Sequence, residues 1–344
     1  MPFNNAAAWI TSPNAHPFEV KSAPTGVPSS GQVLIYSRAI GINPVDYKRQ
    51  HTNLHKGDIP YPSIFGEDVA GDVVAVGPGV TKFKIGDRIT GLAAGFLTKK
   101  LEEEAFQKYV VLWESLSLKI PEKYSYEQAC VFPLAASTAA AGLFNPEHLN
   151  LQLPTLLAQK PTGKAVLVWG GASAVGMAGI QLAVAAGYEV LTTASPKNFN
   201  LVKKLGASYV FDYKSPSIIN DLLQAMEGKN SSGILDAIGG NMSAPIQDFA
   251  HRVDGVKQIA STVPGWPEPP SGVTIKHIFS LSITFSYVYK AIWDDYLPSA
   301  VEAGAFIPSP QPLVFGNGLE SLQGAVDYLG KNGVSAQKVV ISLD

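Results

Sequence analysis

Cysteine is nearly missing from this chain: Cys130 is the single one in 344 residues. One thiol excludes an internal disulfide and any zinc site built from several cysteines. Charge is sparse too, at 16% of residues, and balances to −2 at pH 7. There is no basic footprint for nucleic acid or an anionic membrane surface. No run approaches the ~18 consecutive apolar residues of a membrane span. The opening Met1-Pro-Phe-Asn-Asn-Ala6 lacks the basic and apolar parts of a secretory signal. These absences read as a soluble, cytoplasmic protein that engages neither nucleic acid nor membrane. Its length exceeds what one core usually fills, so two domains are expected.

What is present is a change of style along the chain. Up to about residue 120 the pattern is of short strands with Gly/Pro turns, among them Gln32–Ile40, Val69–Val76 and Phe106–Leu112, which suggests a small irregular barrel or sandwich. Ser125 to Leu143 is Ala-rich at helical spacing, with Ser125 as N-cap. Strands at 165–169, 188–193, 208–212, 233–238 and 256–261 then alternate with helices at 175–186, 198–205 and 216–226. Such alternation predicts a parallel sheet covered on both faces. A β-branched and aromatic strand is expected over Thr274–Phe285, whose edge up to Thr284 could pair across a two-fold axis. Helices near 289–303 and 318–329 and a strand at 338–343 follow. The C-terminal part resembles the N-terminal part in style, so the alternating domain reads as an insertion.

The first alternating strand breaks into Gly170-Gly-Ala-Ser-Ala-Val-Gly176 before a helix. In that order, backbone amides and a helix N-terminus can meet a pyrophosphate. Gly170 and Gly171 permit the tight turn; Ala172, Ser173 and Ala174 keep it small, with Val175 opening the helix. The competing reading is a turn that only serves packing. NAD sites usually carry Asp or Glu about 20 residues on, against the ribose hydroxyls. Here the second strand ends Thr193-Ala-Ser195-Pro196-Lys197-Asn198, with no carboxylate. A hydroxyl and an ammonium suit a 2′-phosphate, so NADPH is expected. The alternative is NAD, with Lys197 merely solvated.

These stretches, with Gly41-Ile-Asn-Pro-Val-Asp46, Phe65-Gly-Glu-Asp-Val-Ala-Gly71, Gly86-Asp-Arg88 and Gln337-Lys-Val-Val340, resemble the medium-chain dehydrogenase/reductase superfamily. The resemblance implies an α/β chain in which a Rossmann doubly wound parallel sheet is inserted into a GroES-like β-rich domain. The GroES-like catalytic part would span 1–124 and 291–344 and the cofactor domain 125–290, with the active site in the cleft between them. Zinc enzymes of that superfamily carry Cys where Asn43 stands and Gly-His-Glu where Gly66-Glu67-Asp68 stands. Their cysteine-rich structural lobe has no counterpart in 91–108. No metal is therefore expected. His51 and His55 stand at i, i+4, but the residues around them read as a solvated loop. Without a Lewis acid, reduction of an already polarised acceptor is favoured.

Within the zinc-independent branch the chain is similar to quinone oxidoreductases and, more closely, to fungal trans-acting enoyl reductases of polyketide pathways. Ser195-Pro-Lys-Asn-Phe-Asn-Leu-Val202, Val210-Phe-Asp-Tyr213 and Ala172-Ser-Ala-Val175 carry that likeness. It implies cofactor contacts from Asn43, Pro44, Val45, Asp46, Thr138, Ala172, Ser173, Ala174, Val175, Ser195, Pro196, Lys197, Asn198, Tyr213, Ile259, Ala260, Val334 and Ser335. It implies substrate lining from Cys130, Val131, Phe132, Pro133, Leu134 and Ser137, and from Ser280, Leu281, Ser282, Ile283 and Thr284. Lys48 is the first candidate for the electrostatic or proton-donating role, with Tyr47 as the alternate donor. The bland readings are an exposed Lys48, a packed Tyr47, a helix-interior Thr138, a structural Asp46 and a small buried Cys130.

The reaction implied is hydride transfer to the β-carbon of an activated alkene and protonation at the α-carbon. The acceptor would be a small molecule or carrier-bound, the partner a polyketide synthase, the state a monomer or homodimer. Two other readings stay open. One is a quinone or small-carbonyl reductase, the other a non-catalytic NADPH-binding structural protein.

Overall fold

The computed structural model describes residues 4–52, 59–157 and 159–343. His55, and so the His51/His55 pair, lies outside the described residues, as do the first three. Contacts divide the chain into two units, 1–134 with 311–344, and 135–310. The stretch 125–134 groups with the first unit because the short helix Tyr126–Ala129 packs on strands Gln32–Gly41 and Asp68–Val76. The stretch 291–310 groups with the second, where Trp293 Nε1 donates to Ser137 Oγ at 3.1 Å and Ile307 N–H donates to Gln181 Oε1 at 2.7 Å.

The first unit is β-rich. Its larger sheet runs Gln311–Asn317, Gln337–Ser342, Gln32–Gly41, Asp68–Val76, Arg88–Leu92, Ser117–Lys119, with Tyr109–Trp113 also paired to Gln32–Gly41. A three-stranded sheet places Ala6–Ile10 between Glu19–Ser22 and Ser63–Ile64. Ile35, Ile40, Phe65, Val69 and Phe106 fill the core between them. Two helices, Pro44–His51 and Leu322–Asn332, pack on each other beside this core.

The second unit holds six strands in the order Tyr209–Asp212, Glu189–Ala194, Lys164–Trp169, Asn230–Asp236, Gln258–Ser261, Thr274–His277. Every pairing in it is parallel. That order is the doubly wound one. Strands buried on both faces explain the near-continuous apolar runs seen in the sequence.

Some expectations need correction. The single helix over Ser125–Leu143 is two helices, Tyr126–Ala129 and Pro133–Phe144. Ser125 does cap the first, accepting the Gln128 N–H at 3.2 Å while Gln128 Oε1 accepts the Ser125 N–H at 3.0 Å. Pro133 has no N–H to continue that helix and instead opens the next. The long edge strand over Thr274–Thr284 is also wrong. Strand pairing stops at His277, and Ser280–Phe285 coils into 3-10 turns that bury Leu281 and Ile283. Hydroxyl side chains supply local partners there, as when Thr284 Oγ1 donates to the Leu281 carbonyl at 2.7 Å. The edge left for pairing is four residues long. The strand at 106–112 begins only at Tyr109, and the helix Ser243–Arg252 was not foreseen although Ile246, Phe249 and Ala250 mark its buried face. Among the described residues no helix is long and apolar enough to cross a membrane.

Trp169 ends the central strand, 1% exposed, among Leu167, Leu191, Ile234 and Ile246. Trp169→Ala should cost about 3–5 kcal/mol in urea unfolding. A loss under ~1 kcal/mol would mean that the surrounding core collapses onto the vacated space.

Candidate active site

In the second unit, the turn after Trp169 is shaped by what a side chain would strike. Gly170 has φ +83°, and a Cβ there would run into Ile238. At Gly171 it would meet Thr192 Oγ1, and at Gly176 the Gly170 carbonyl. Ser173 caps the helix Ala174–Ala185, its Oγ accepting the Gly176 N–H at 3.0 Å and donating to the Gly170 carbonyl at 2.8 Å. The first-turn amides of Ala174 and Val175 have no carbonyl partner within the helix. With half-buried Ala172 to Val175 around them, these amides are of the kind that could hold a phosphate. Asp236 holds the facing loop. Its Oδ1 accepts the Ile238 and Gly239 amides at 3.1 and 3.0 Å, and its Oδ2 accepts Ser261 Oγ–H at 2.7 Å.

At the end of the next strand, Ser195 Oγ lies 3.4 Å from the Tyr213 hydroxyl. Lys197 is exposed, and no salt bridge engages it among the described residues. Lys214, which sequence reading missed, places its Nζ 5.8 Å from the Tyr213 ring centre. The Lys214 ammonium thus lies beside the hydroxyl pair, and Lys197 stands two residues after Ser195 with no carboxylate paired to it among the described residues. Pro196 and Asn198 complete a 3-10 turn, with Asn198 buried. Ile259 and Ala260 are fully buried in their strand, and Thr138 is 8% exposed in the helix Pro133–Phe144. Ser282 and Ser286 are joined by Asn145, whose Nδ2 donates to Ser282 Oγ at 2.9 Å while its Oδ1 accepts the Ser286 hydroxyl at 2.8 Å. Ser280, Leu281 and Ile283 are buried beside them, with Thr284 half-buried.

In the first unit the residues of Gly41–Asp46 meet an unforeseen partner. Lys338 reaches across from the closing strand and its Nζ donates to Asn43 Oδ1 at 2.6 Å and to Asp68 Oδ2 at 2.5 Å. Asn43 Nδ2 donates to the same Asp68 oxygen at 2.9 Å, and Asp68 Oδ1 accepts the Leu134 N–H at 2.7 Å. Lys338 is 5% exposed and Asp68 fully buried. Gly41 makes room: a Cβ there would lie 3.0 Å from Asp68 Cβ and 3.2 Å from Lys338 Cε. Pro44 starts the helix, and Asp46 reaches back to accept the Asn43 N–H at 2.7 Å. Arg49 pairs with Glu104 through two hydrogen bonds, both side chains buried, with the guanidinium 4.0 Å from the Phe65 ring centre. Burial raises Glu67 well above the usual carboxylate range, with Asp46 beside it adding to the effect. Burial likewise pushes Asp46 up to about 7, against the pull of the Asn43 N–H and Arg49.

The remaining expected residues fall around this network. Lys48 is exposed on the helix Pro44–His51, and Val45 is half-buried. Tyr47 packs: its ring centre is 4.4 Å from that of His51, and a Cβ at Gly330 would strike it. Cys130, Val131 and Phe132 are fully buried, and burial drives the Cys130 thiol well up, away from thiolate chemistry. Pro133 and Leu134 follow them. Val334 and Ser335 are exposed just before the closing strand.

Two family models match the chain: the alcohol dehydrogenase GroES-like domain over residues 29–122 and the zinc-binding dehydrogenase over 174–289. The zinc-binding alcohol dehydrogenase domain-containing protein cipB of Emericella nidulans is 46% identical over 340 residues, spanning 99% of this chain and 98% of that protein. The trans-enoyl reductase himH of Aspergillus japonicus is 36% identical over 346 residues, spanning 98% and 97%. An alcohol dehydrogenase superfamily protein from Novosphingobium aromaticivorans has the same fold, with TM-score 0.79 at 27% identity over 99% of this chain and 100% of that one. The chain belongs to the medium-chain dehydrogenase/reductase family, in its enoyl-reductase type. It is an oxidoreductase of a family that works with a nicotinamide cofactor.

The family's zinc does not fit the residues present. Asn43 supplies an amide instead of a thiolate, Glu67 and Asp68 replace a histidine and its neighbour, and an ammonium already bonds to two of the three. A buried cation at hydrogen-bond distance repels a second one.

Two measurements check the network. Lys338→Met leaves Asp68 buried without its counter-charge and should cost on the order of 3–5 kcal/mol in urea unfolding. Asp46 binds its proton more tightly when folded than when unfolded, so its contribution is full at low pH and is lost as pH rises from about 4 through about 7. Asp46→Asn should flatten that fall in the stability–pH profile, and an unchanged profile would assign the slope to other groups.

Proposed function

We propose that this chain is an NADPH-dependent, zinc-independent reductase that saturates an activated carbon–carbon double bond, on a small-molecule or carrier-bound acceptor in secondary metabolism. The observation that carries this reading is the buried Lys338 ammonium bonded to Asn43 and Asp68, in the stretches where zinc relatives carry Cys and Gly-His-Glu. Alcohol oxidation without a Lewis acid loses its means of stabilising an alkoxide. An enoyl acceptor conjugated to a carbonyl needs no metal, because its charge develops on an oxygen that an ammonium can meet. Full-length similarity, at 36% identity, to a protein named trans-enoyl reductase supports the same class.

When bound, reduced nicotinamide supplies the hydride for the β-carbon, and the α-carbon takes a proton. The amides of Ala174 and Val175 would hold the pyrophosphate. Ser195, Lys197 and Tyr213 would hold the 2′-phosphate, with Lys214 adding charge. Exposed Lys48 would face the enolate oxygen and supply positive charge to it. The Tyr47 ring packs against His51 and Gly330, and the exposure of Lys48 supports it as the first of the two candidates.

NADPH consumption against enoyl thioesters, free enones and quinones tests the class. A preference for enoyl acceptors above about tenfold, equivalent to ~1.4 kcal/mol, supports the reading; a like preference for quinones overturns it. Lys197→Ala should weaken NADPH about tenfold or more and leave NADH unchanged, since a charge-assisted bond is worth ~1.5–3 kcal/mol. Lys48→Ala should lower kcat on the order of 10²-fold, while dialysis against EDTA should leave kcat as it was.

A further inference from the structure

We propose a divalent transition-metal site on the first unit, formed by His16, His51 and Asp327. The three residues come from separate elements: His16 from the segment between the strands Ala6–Ile10 and Glu19–Ser22, His51 from the end of the Pro44–His51 helix, Asp327 from the Leu322–Asn332 helix. Their ligating atoms all lie within 4.8 Å of one another. His16 Nε2 is 2.9 Å from Asp327 Oδ2, and His51 Nε2 is 3.4 Å from Oδ1. Ligands bound to zinc at ~2.0–2.2 Å in tetrahedral array stand roughly 3.3–3.5 Å apart. The His51–Asp327 spacing is already at that value, and the His16–Asp327 hydrogen bond would open by about half an ångström to reach it.

Two imidazoles and one carboxylate form the donor set of zinc-type ions, and they neutralise only part of the ion's charge. None of the three coincides with Asn43, Glu67 or Asp68. A fourth position would remain for water, on the side where the His16 side chain is 43% exposed.

What separates this cluster from a chance surface group is the support behind it. Gln323 Nε2 donates to Asp327 Oδ1 at 2.9 Å and to Gln50 Oε1 at 3.1 Å. Gln323 Oε1 accepts the Phe18 N–H at 2.8 Å and Gln50 Nε2 at 3.0 Å. Gln50, fully buried, also donates to the Ala15 carbonyl at 2.9 Å, one residue before His16. One polar network therefore fixes all three ligand-bearing segments. This is the second layer that orients metal ligands in general. The Tyr47 ring braces His51 from the side. Lys331 Nζ lies 3.3 Å from Asp327 Oδ2, but its side chain is 67% exposed and free to swing into solvent when an ion binds. The ion would staple the N-terminal segment to the two helices without entering the reaction.

Cobalt(II) titration of the full-length, EDTA-treated protein tests the site. The expected result is a visible ligand-field spectrum saturating at one ion per chain, displaced by zinc, with a higher Tm in the metal-bound protein. His16→Asn and Asp327→Asn should each weaken binding at least tenfold while keeping the circular dichroism of the parent; Lys331→Met should not weaken it. No saturable spectrum in the parent, or a spectrum unchanged in both His16→Asn and Asp327→Asn, would overturn the proposal.

Discussion

The ammonium of Lys338 is the interaction on which the first unit depends. It joins Asn43 and Asp68, which stand 295 and 270 residues away in sequence, and so ties the closing strand to the strand–helix junction near the start of the chain. A buried charge is tolerated only when its geometry is good and its remaining bonds are satisfied. Here Asp68 is met on both oxygens and Lys338 by two acceptors. The neighbours follow from that choice. Arg49 and Lys338 are the cations of this interior, against the carboxyls of Asp46, Glu67, Asp68 and Glu104. Burial pushes Asp46, Glu67 and Glu104 all upward, and the Arg49 charge opposes the shift at each of them.

The second unit solves a different problem, the close approach of backbone to an anion. Its parallel sheet brings the Gly170–Gly176 turn, the Ser195–Asn198 turn and the Asp236-anchored loop to the same carboxyl end of the strands, as the doubly wound fold does in general. Glycine is needed at Gly170 and Gly176 because neighbouring atoms leave no space for a Cβ, and at Gly170 because φ is positive as well. Lys197 and Lys214, near the end of the second strand, are surface side chains, which can change without touching the core.

Much of this was legible from residue patterns. Five of the six parallel strands were found with their ends within three residues, because burial on both faces demands continuous apolar runs. The cofactor turn was found because small residues at fixed spacing between a strand and a helix have few other uses. Misreadings came where local chemistry competes with hydrophobic pattern: Pro133 splits an Ala-rich helix, and the hydroxyls of 280–286 curl an apolar segment that composition alone would make a strand. Lys338 was visible only as part of a closing motif, since nothing local distinguishes a buried lysine from an exposed one. His16 and Asp327 carried no signal at all, being isolated residues in unrelated segments.

Sequence by itself determined the two-part organisation, the dinucleotide turn and the lack of thiolate ligands for zinc, because each is written in neighbouring residues. Tertiary structure alone decided that an ammonium sits among Asn43 and Asp68, that Tyr47 packs and Lys48 does not, and that two histidines share one carboxylate. Those outcomes depend on which distant side chains share a buried volume, where desolvation makes every charge answer to its neighbours.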